Sequence, residues 1–587
     1  MKKIPRGIFD FERLRSGNYL FIDKTPFLNK LEETACHLFF TRPQRFGKTL
    51  FLSLLECYYD LYSKSKFWDL FAGTAIYQRP TDERHQYLML SFDFSLIDPD
   101  PRHMELTFLN HIRRKVIAFL RKYRSELIDD DGYLDHVLTV SPSPAHVLEA
   151  LADRCNASGK RLYILIDEYD HFANATLATL GPNAYHRLTH GEGFLRTFFN
   201  ALKKGSASAK GAMTRSFITG ISPIVMADLT SGHGIGRNIS RDPVFNALLG
   251  FTAEEVEAVI TYYRSMTRID DPPAYVLHIL NQWYGNHRFS DQAAEPLMNA
   301  DMVMYFLKVY LMRKKIPKSL TDKNVRLDYA THRRLFLGDN PTMQLTNGNA
   351  DRLREIILKD DIRSDIESEF PFKKITARKN CFSFLFYFGL LSIKAATEPN
   401  PQLEIPNLTA RKLCFEYLKD AYDETRTFTL PLTVLKQLMT EMAYRGDWNN
   451  VLHYLTGKMR ESDALTDLIR CSQSIQSFLM VYLGLADPYL IHAGKESNKN
   501  WADILLEPMI DRYKDIRYSY VLKIKYLKKD SQLEETELQR IRDEASKQWA
   551  QYTVDHPFKE RVKKTALIKL LLIFSGHHCL ITERCEE

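Results

Sequence analysis

The sequence predicts an α/β protein whose N-terminal part is built on a doubly wound parallel sheet. Up to about residue 290, short apolar runs alternate with helical stretches, which is typical of strands joined by crossover helices. Two of these runs, ending at residues 41 and 166, are each followed directly by charged residues. In open α/β sheets the carboxyl ends of the strands form the edge where ligands bind, so both positions are candidates for one site.

Four strands and one helix are predicted in this part from the apolar patterning. The strands are His37–Thr41, Tyr87–Phe94, Arg161–Ile166 and Thr214–Pro223. The helix, Thr49–Tyr62, follows the first strand and carries apolar residues at helical spacing.

The segment between the first strand and its helix ends in Gly-Lys-Thr. A tight turn there builds a phosphate cradle: backbone N–H groups face an anion, Lys48 neutralises it, and the Thr49 hydroxyl can hold Mg²⁺. The general phosphate-loop pattern has glycine where Arg42 stands, so this segment alone leaves open a solvated basic turn that caps an ordinary helix. The predicted nucleotide-binding residues are Arg45, Phe46, Gly47, Lys48, Thr49 and Leu50.

A second polar segment follows the predicted strand Arg161–Ile166 and begins with Asp167 and Glu168. The strand reads as buried and parallel, with carboxylates at its carboxyl end. Phosphate-loop NTPases place a Mg²⁺-coordinating Asp there, which makes Thr49 and Asp167 the predicted metal ligands. Asp167 and Glu168 are the predicted catalytic acids, with Glu168 polarising the attacking water. Two such strand-terminal elements in this order favour nucleotide binding over the alternative of a polar turn.

Further candidates surround this site. Thr219 ends the fourth predicted strand, where an NTPase places a γ-phosphate sensor, although a strand-ending Thr-Gly turn also explains it. Three arginines are candidates for stabilising charge on the phosphates, in cis or from a neighbouring subunit, and the sequence does not choose among them. They are Arg215, Arg237 and Arg241.

The composition of the chain predicts its class, its number of domains and its cellular compartment. The chain has 587 residues, of which 45% are hydrophobic, and predicts a large soluble protein of three domains, residues 1–290, 291–428 and 429–587. The 8 cysteines are dispersed without a C-x-x-C pair, no apolar stretch could span a bilayer, and no signal core follows Met1, so a cytoplasmic protein with reduced thiols is expected. The net charge of +7 permits a nucleic-acid partner without arguing for one.

The later segments predict smaller units. Residues 290–425 read as mainly helical, with a basic loop at 373–379 and a strand–turn–strand element near 396–407, which suggests a winged-helix-like unit that could contact DNA or relay nucleotide state. From about residue 430 the chain reads as helices and then a mixed α/β module. Its predicted elements are adjacent strands Trp501–Leu506 and Tyr518–Tyr526, a helix Glu534–Tyr552 and a final strand Thr565–Phe574.

Several runs together resemble a bacterial family called AAA-ATPase-like, whose members are phosphate-loop NTPases related to STAND and archaeal ATPases. In that family the loop reads R-P-x-R-F-G-K-[ST], so Arg42 is the residue the resemblance implies at its position. The resemblance covers nearly the whole chain and implies ATP with Mg²⁺ as ligands. The matching runs are Ile4–Thr25, Arg42–Thr49, Leu165–Asp170, Thr219–Pro223, Leu249–Glu255 and Trp283–Phe289.

Members of that family often carry a C-terminal domain of the PD-(D/E)XK nuclease superfamily, with a restriction-endonuclease-like α/β fold, and this chain resembles one. The resemblance implies a metal-binding Asp at Asp503 and a water-positioning Lys at Lys525. The expected Glu of E-x-K is Lys523, and the acid expected on a preceding helix aligns with Ser472. Gln548 and Tyr552 match a Q-x-x-x-Y pattern on the following helix.

The two missing carboxylates predict that the nuclease-like domain is inactive. A lysine in place of a metal-binding carboxylate moves the local charge by about two units toward positive, which disfavours a divalent cation at Asp503. Such a domain could still bind nucleic acid through a basic cluster, Lys523, Lys525, Lys528 and Lys529. The alternative interpretation of this cluster is a solvated strand edge protected by lysines.

Three functions remain in competition at this stage. The first is an ATP-binding and ATP-hydrolysing switch protein with a degenerate nuclease-like domain, acting alone or as a homo-oligomer. The second is an active ATP-dependent DNA nuclease whose missing acid comes from elsewhere, with Glu496 as the nearest substitute. The third is a non-catalytic interaction scaffold in which bound nucleotide is structural.

Overall fold

The architecture is taken from a computed structural model of the chain. It describes residues 1–100, 102–129, 132–207, 211–230, 236–267, 269–321, 325–338, 344–345, 348–359, 362–397, 399–494, 501–510, 512–528, 533–552, 562 and 564–585. Within these residues the chain forms two compact units. The first comprises Met1–Asp339 and Arg363–Ala410, and the second Asn340–Ile362 and Arg411–Glu587. The three-domain division at residues 290 and 428 stays a prediction.

The first unit contains a parallel five-stranded sheet in the order β2-β3-β4-β1-β5. Its strands are β1 (His37–Thr41), β2 (Leu88–Asp93), β3 (Leu162–Asp167), β4 (Met213–Gly220) and β5 (Arg237–Asn238). The predicted parallel sheet is confirmed, and β1 has the predicted bounds. The short edge strand β5 was not predicted, because two residues carry no hydrophobic period. Since β4 lies between β1 and β3, the carboxyl ends of these three strands meet at one edge.

Helices alternate with these strands along the chain and form most of its middle region. In chain order they are α1 (Phe11–Ser16), α2 (Phe27–Thr34), α3 (Lys48–Tyr59), α4 (Phe67–Leu70), α5 (Ala75–Gln78), α6 (Met104–Lys122), α7 (Tyr133–Val140), α8 (Pro144–Ala157), α9 (His171–Thr189), α10 (Phe194–Ala207), α11 (Ile224–Thr230), α12 (Ala253–Met266), α13 (Pro273–Tyr284), α14 (Ala300–Arg313), α15 (Val325–Leu337), α16 (Asn349–Leu358), α17 (Arg378–Tyr387) and α18 (Leu408–Glu424). Short 3₁₀ turns lie at Leu61–Lys66, Phe94–Leu96, Pro243–Leu248 and Phe372–Lys374.

The middle region is helical, as predicted, and contains a short hairpin. Strand β6 (Ile362–Arg363) precedes it, and β7 (Ser392–Ala395) pairs antiparallel with β8 (Gln402–Glu404). This pair is the strand–turn–strand element expected from the sequence, and it follows helix α17. Its likeness to a winged helix stays a prediction.

The second unit contains a mixed five-stranded sheet in the order β13-β12-β11-β10-β9. Strands β10 and β11 are adjacent, as predicted, and the structure shows that they run antiparallel, whereas β11 and β12 run parallel. The strands are β9 (Tyr489–Ala493), β10 (Trp501–Pro508), β11 (Tyr518–Leu527), β12 (Ala566–Ser575) and β13 (His578–Arg584), and the helices are α19 (Leu432–Arg445), α20 (Trp448–Arg460), α21 (Leu465–Leu468), α22 (Ser472–Gly484) and α23 (Glu535–Tyr552).

The prediction that the apolar run Thr565–Phe574 is the last strand was wrong. Strand β12 turns at Gly576, whose φ of 59° lies in the left-handed region that glycine adopts without strain, and β13 returns antiparallel. Strand β13 escaped prediction because His578–Arg584 mixes polar and apolar residues without a clean alternation. Helix α22 packs against β9, β10 and β11, and every one of its residues is buried except Gln473 and Ser474.

Candidate functional site

The loop after β1 presents the first turn of α3 at the carboxyl edge of the sheet. Gly47 caps this helix with a φ of 107°, a left-handed conformation that L side chains rarely adopt. No atom lies within 4 Å of the position a Cβ would take there, so backbone conformation rather than space accounts for the glycine. The first backbone N–H groups of α3 have no partner within the helix and form the start of an anion cradle.

Arg42, which replaces the first glycine of the general pattern, points away from this cradle. Its guanidinium donates hydrogen bonds to four backbone carbonyls and is fully buried. The ring of Phe40 lies 4.2 Å from the guanidinium carbon, and the ring of Phe289 lies at the same distance. Burial lowers the pKa of Arg42 to about 9. The accepting carbonyls, at 2.7–3.2 Å, belong to Thr41, Ser240, Phe245 and Asn246.

The rest of the loop is fixed through its own carbonyl groups. Gly250 N–H donates to Phe46 O at 3.1 Å, and Asp301 N–H donates to Arg45 O at 3.1 Å. Gly250 has a φ of +83°, and a Cβ there would lie 2.9 Å from the Phe46 ring. Arg45 itself has a φ of 68° and pairs with the Asp301 carboxylate at 3.2 Å. Contacts from distant segments therefore hold the loop in shape.

The predicted metal ligands meet at the tip of β3. Thr49 Oγ1 donates a hydrogen bond to Asp167 Oδ2 at 2.6 Å. Burial, followed by the neighbouring Glu168 charge, raises the pKa of Asp167 to about 6. A buried carboxylate beside a second carboxylate gains most from a nearby cation. Mg²⁺ needs only one or two protein oxygens when phosphates and waters complete its shell, so Thr49 and Asp167 fit that ion.

Lys48 and Glu168 lie next to this pair. Lys48 Nζ donates to Arg42 O at 3.2 Å and to Pro43 O at 3.3 Å, and it lies 3.5 Å from Glu168 Oε1. Glu168 has a φ of 50°, an uncommon conformation for a residue that is not glycine. Its Oε2 is buried with no hydrogen-bond partner among the described residues. That oxygen is free to accept a proton.

One cavity of about 470 Å³ is lined by Lys48, Thr49 and Glu168, and Asp167 is not among its lining residues. Its lining includes all six predicted nucleotide-binding loop residues and Glu168. Thr219 is not among the residues that line it. Thr219 is the second-last residue of β4, the strand between β1 and β3, and its buried hydroxyl lacks a partner within the described part of the chain. Its role as a phosphate sensor stays a prediction.

Asp170 ties the acidic turn to the end of β4. Its buried carboxylate accepts hydrogen bonds from Ser222 N–H at 2.8 Å and from Ile221 N–H at 3.2 Å. Asn174 Nδ2 donates to it at 2.9 Å. Burial and the Glu168 charge raise the pKa of Asp170 to about 6. Asp170 belongs to the motif run Leu165–Asp170. The sequence did not predict that its carboxylate accepts hydrogen bonds from the end of β4.

Two of the three candidate arginines lie away from the phosphate loop. Arg215 is near the start of β4, donates to Tyr87 Oη at 3.0 Å and lies 3.6 Å from Glu83. Arg237 is in register with Leu38 near the start of β1. Both positions contradict a role at the phosphates in cis, because the loop lies at the opposite ends of these strands.

Arg241 is the remaining candidate. It follows β5 on the side of the carboxyl edge, but its Nη1 donates to Ile366 O at 2.6 Å. This bond directs the guanidinium to a backbone carbonyl.

The C-terminal sheet brings Asp503 and Lys523 together as cross-strand neighbours. Lys523 Nζ lies 2.9 Å from Asp503 Oδ1 and 3.2 Å from Oδ2, and both side chains are almost fully buried. Gln476 Nε2 donates to Asp503 O at 2.6 Å. Ser472, at the position of the expected helix acid, is also buried and carries no charge.

The other predicted residues of this site are not part of the Asp503–Lys523 ion pair. Lys525 Nζ lies 3.8 Å from Glu544 Oε2, and burial lowers the pKa of Lys525. The side chains of Gln548 and Tyr552, and the whole of Glu496 and Lys529, lie outside the described residues. Placing Lys523 in a phosphate-binding cluster was wrong, since its ammonium is fully buried against a carboxylate. Among the described members of that cluster, Lys528 is exposed and Lys525 is half-buried.

Comparison with known proteins assigns both sites to families. Residues 5–230 match a family model described as "Predicted AAA-ATPase", and residues 473–584 match the PD-(D/E)XK nuclease superfamily. The chain therefore carries an AAA-ATPase-like domain toward its N-terminus and a PD-(D/E)XK nuclease superfamily domain toward its C-terminus. This confirms the two resemblances seen in the sequence.

One curated relative is similar to this chain, and its printed name states no function. An "Uncharacterized protein in vnfD 5'region" from Azotobacter chroococcum mcd 1 is 28% identical over 298 residues. The match covers 50% of each chain, so this chain spans about half the length of that relative.

The described residues contain neither a helix that could span a membrane nor a cluster of metal-ligating side chains. Among the helices of the described residues, not one combines the length and apolar composition that crossing a membrane requires. Within the same residues, His, Cys, Asp and Glu side chains do not gather in threes with metal-binding geometry.

Proposed function

We propose that the AAA-ATPase-like domain binds ATP with Mg²⁺ and hydrolyses it. The observation that carries this proposal is the 2.6 Å contact between Thr49 Oγ1 and Asp167 Oδ2. Thr49 also lines the cavity that Lys48 and Glu168 line. Bound Mg²⁺ would neutralise charge on the phosphate oxygens and orient them. Thr49 and Asp167 are the residues that would hold it.

Different protein groups bind the phosphates and activate the attacking water. The N–H groups at the start of α3 bind phosphate oxygens, and Lys48 neutralises their charge. Lys48 reaches the phosphates by leaving the loop carbonyls that its ammonium contacts at 3.2 and 3.3 Å. Glu168 orients the attacking water and accepts its proton on Oε2, the oxygen without a partner among the described residues.

Lys48→Ala tests nucleotide binding, measured by titration calorimetry with ATP and Mg²⁺. We expect the variant to lose detectable binding, because no other described lysine lies in the phosphate loop. Lys66→Ala is the control, since Lys66 pairs with Glu12 on the surface. Retained ATP affinity in Lys48→Ala would rule the assignment out.

Glu168→Gln separates hydrolysis from binding. The amide cannot accept the water proton as a carboxylate does, so steady-state phosphate release is expected to fall by roughly 100-fold or more while ATP affinity is kept. Equal rates near background in wild type and variant would favour a scaffold in which nucleotide is structural.

We further propose that the nuclease-superfamily domain does not cleave nucleic acid. The buried ion pair between Asp503 and Lys523 supports this, because the ammonium supplies the positive charge that a divalent cation would bring. Plasmid DNA incubated with the protein, ATP and Mg²⁺ or Mn²⁺ is expected to stay intact. Cleavage that disappears in Asp503→Ala would instead establish an active ATP-dependent nuclease.

A further inference from the structure

A loop of the N-terminal segment, residues 4–10, is anchored at both ends within the first unit. Before the loop, Lys2 N–H donates to Tyr262 Oη on α12 at 2.9 Å, and Lys3 O accepts from Leu20 N–H at 2.8 Å. After the loop, Phe11 N–H donates to Ser53 Oγ on α3 at 2.8 Å. The loop therefore has a fixed position beside the helix that begins at the phosphate cradle.

This loop carries an aromatic ring that is not packed into the core. Phe9 is 59% exposed, whereas Phe11, two residues later, is fully buried. A single exposed aromatic residue on a surface would need no explanation. Phe9 differs because it lines the same cavity as Lys48 and Thr49. The ring is thus available to a ligand held by the phosphate loop.

The three lysine and arginine side chains that line this cavity each have a carboxylate partner. Lys24 lies 2.7 Å from Glu255, Arg45 lies 3.2 Å from Asp301, and Lys48 lies 3.5 Å from Glu168. Much of the remaining wall is apolar. Its apolar members include Ile8, Phe21, Ile22, Leu249, Phe251 and Met304.

A wall of this kind suits a flat, weakly polar group that is linked to a polyphosphate. The cavity volume of about 470 Å³ lies in the range of sites that bind whole small-molecule ligands rather than a bare anion. Aromatic rings bind nucleobases by stacking, because every base offers a π face.

We propose that Phe9 stacks on the base of the nucleotide whose phosphates lie at Lys48. This inference rests on the proposed nucleotide site and assigns its base-binding residue. Stacking adds affinity for the nucleoside part of the ligand and none for the phosphates. The anchored ends hold the loop beside α3 before ligand arrives, which reduces the backbone ordering that binding requires.

Phe9→Ala separates base binding from phosphate binding when two ligands are compared by calorimetry with Mg²⁺ present. Affinity for ATP is expected to fall roughly 5- to 150-fold, the effect of removing one base–aromatic stack. Affinity for inorganic triphosphate, which has no base, is expected to stay unchanged. Phe9→Trp should keep ATP affinity, since it restores an aromatic face.

Tyr133→Ala provides the matched control, because Tyr133 is an aromatic residue of α7 with 51% exposure and does not line the cavity. Unchanged ATP affinity in Phe9→Ala would overturn the inference, as would an equal loss for ATP and triphosphate, which would indicate a disturbed loop. A wild-type protein that binds neither ligand would overturn the proposed nucleotide site itself. Lys48→Ala should lose both ligands, in contrast to Phe9→Ala.

Discussion

Lys523 Nζ lies 2.9 Å from Asp503 Oδ1, with the lysine side chain wholly buried and the aspartate side chain nearly so. The pair joins neighbouring strands within the residues that match the nuclease superfamily model. A carboxylate buried without a cation would be costly, and the ammonium removes that cost. Lys523 therefore gives the buried Asp503 carboxylate a charge partner within the sheet itself.

Lys523→Met should destabilise the second unit strongly. The substitution removes the ammonium and leaves Asp503 buried without its partner, which typically costs about 3–5 kcal/mol. The denaturation midpoint in urea, followed on the full chain, measures the effect. Lys525→Met is the control, since Lys525 is 3.8 Å from Glu544 and nearer the surface, and its effect should be below about 1 kcal/mol.

A double variant distinguishes loss of the ion pair from loss of packing. Asp503→Leu together with Lys523→Met replaces both charges with apolar side chains and should recover most of the stability. If the double variant were as unstable as Lys523→Met alone, an uncompensated charge on Asp503 would not be the cause.

The fold of the first unit followed closely from the sequence, because strands β1 and β3 are apolar runs that end in chemically distinctive residues. The phosphate loop and its acids were found for the same reason. The direction of Arg42 could not be predicted, since its four carbonyl partners include ones about 200 positions away in the sequence. The burial of Lys523 could not be predicted either. The sequence pattern of a strand does not show that a lysine lies beside an aspartate of the neighbouring strand.

Arg42→Gly would restore the general phosphate-loop pattern and should nevertheless harm the protein. Four backbone carbonyls would lose their donor, and a space would open between the Phe40 and Phe289 rings. Unsatisfied buried acceptors cost about 1–3 kcal/mol each, so a loss of at least about 3 kcal/mol is expected by urea denaturation.

Arg42→Lys is the informative companion to that variant. Lysine keeps the charge but lacks the planar fork that reaches several carbonyls at once, so an intermediate loss is expected. Wild-type stability in Arg42→Gly would mean that the buried hydrogen bonds of Arg42 contribute nothing to folding.

Asp170 should make stability depend on pH in the mildly acidic range. Its folded pKa of about 6 lies above the ordinary aspartate pKa of 3.8, so the folded state binds this proton more tightly than the unfolded state. The stabilisation is complete below about pH 4 and is lost as pH rises through about 6, by at most about 3 kcal/mol.

Asp170→Asn isolates this contribution, because an amide does not titrate but can still accept from the Ser222 N–H. The difference in urea midpoint between wild type and variant, measured at pH 4.5 and pH 7, should shift in favour of wild type at the lower pH. A difference that is the same at both pH values would contradict the raised pKa.

Gly250→Ala should disturb the phosphate loop more than Gly73→Ala does, although both glycines have a similar positive φ. Gly250 has a φ of +83°, and an added Cβ would lie 2.9 Å from the Phe46 ring. Gly73, with a φ of +75° and no atom within 4 Å of that Cβ position, is the matched control. Both substitutions force an L side chain into the left-handed region, at about 1–2 kcal/mol. Only Gly250→Ala also pushes against Phe46, which adds about 1–3 kcal/mol and should weaken ATP binding in calorimetry. Equal melting temperatures and equal ATP affinities in the two variants would show that the Gly250–Phe46 contact does not shape the loop.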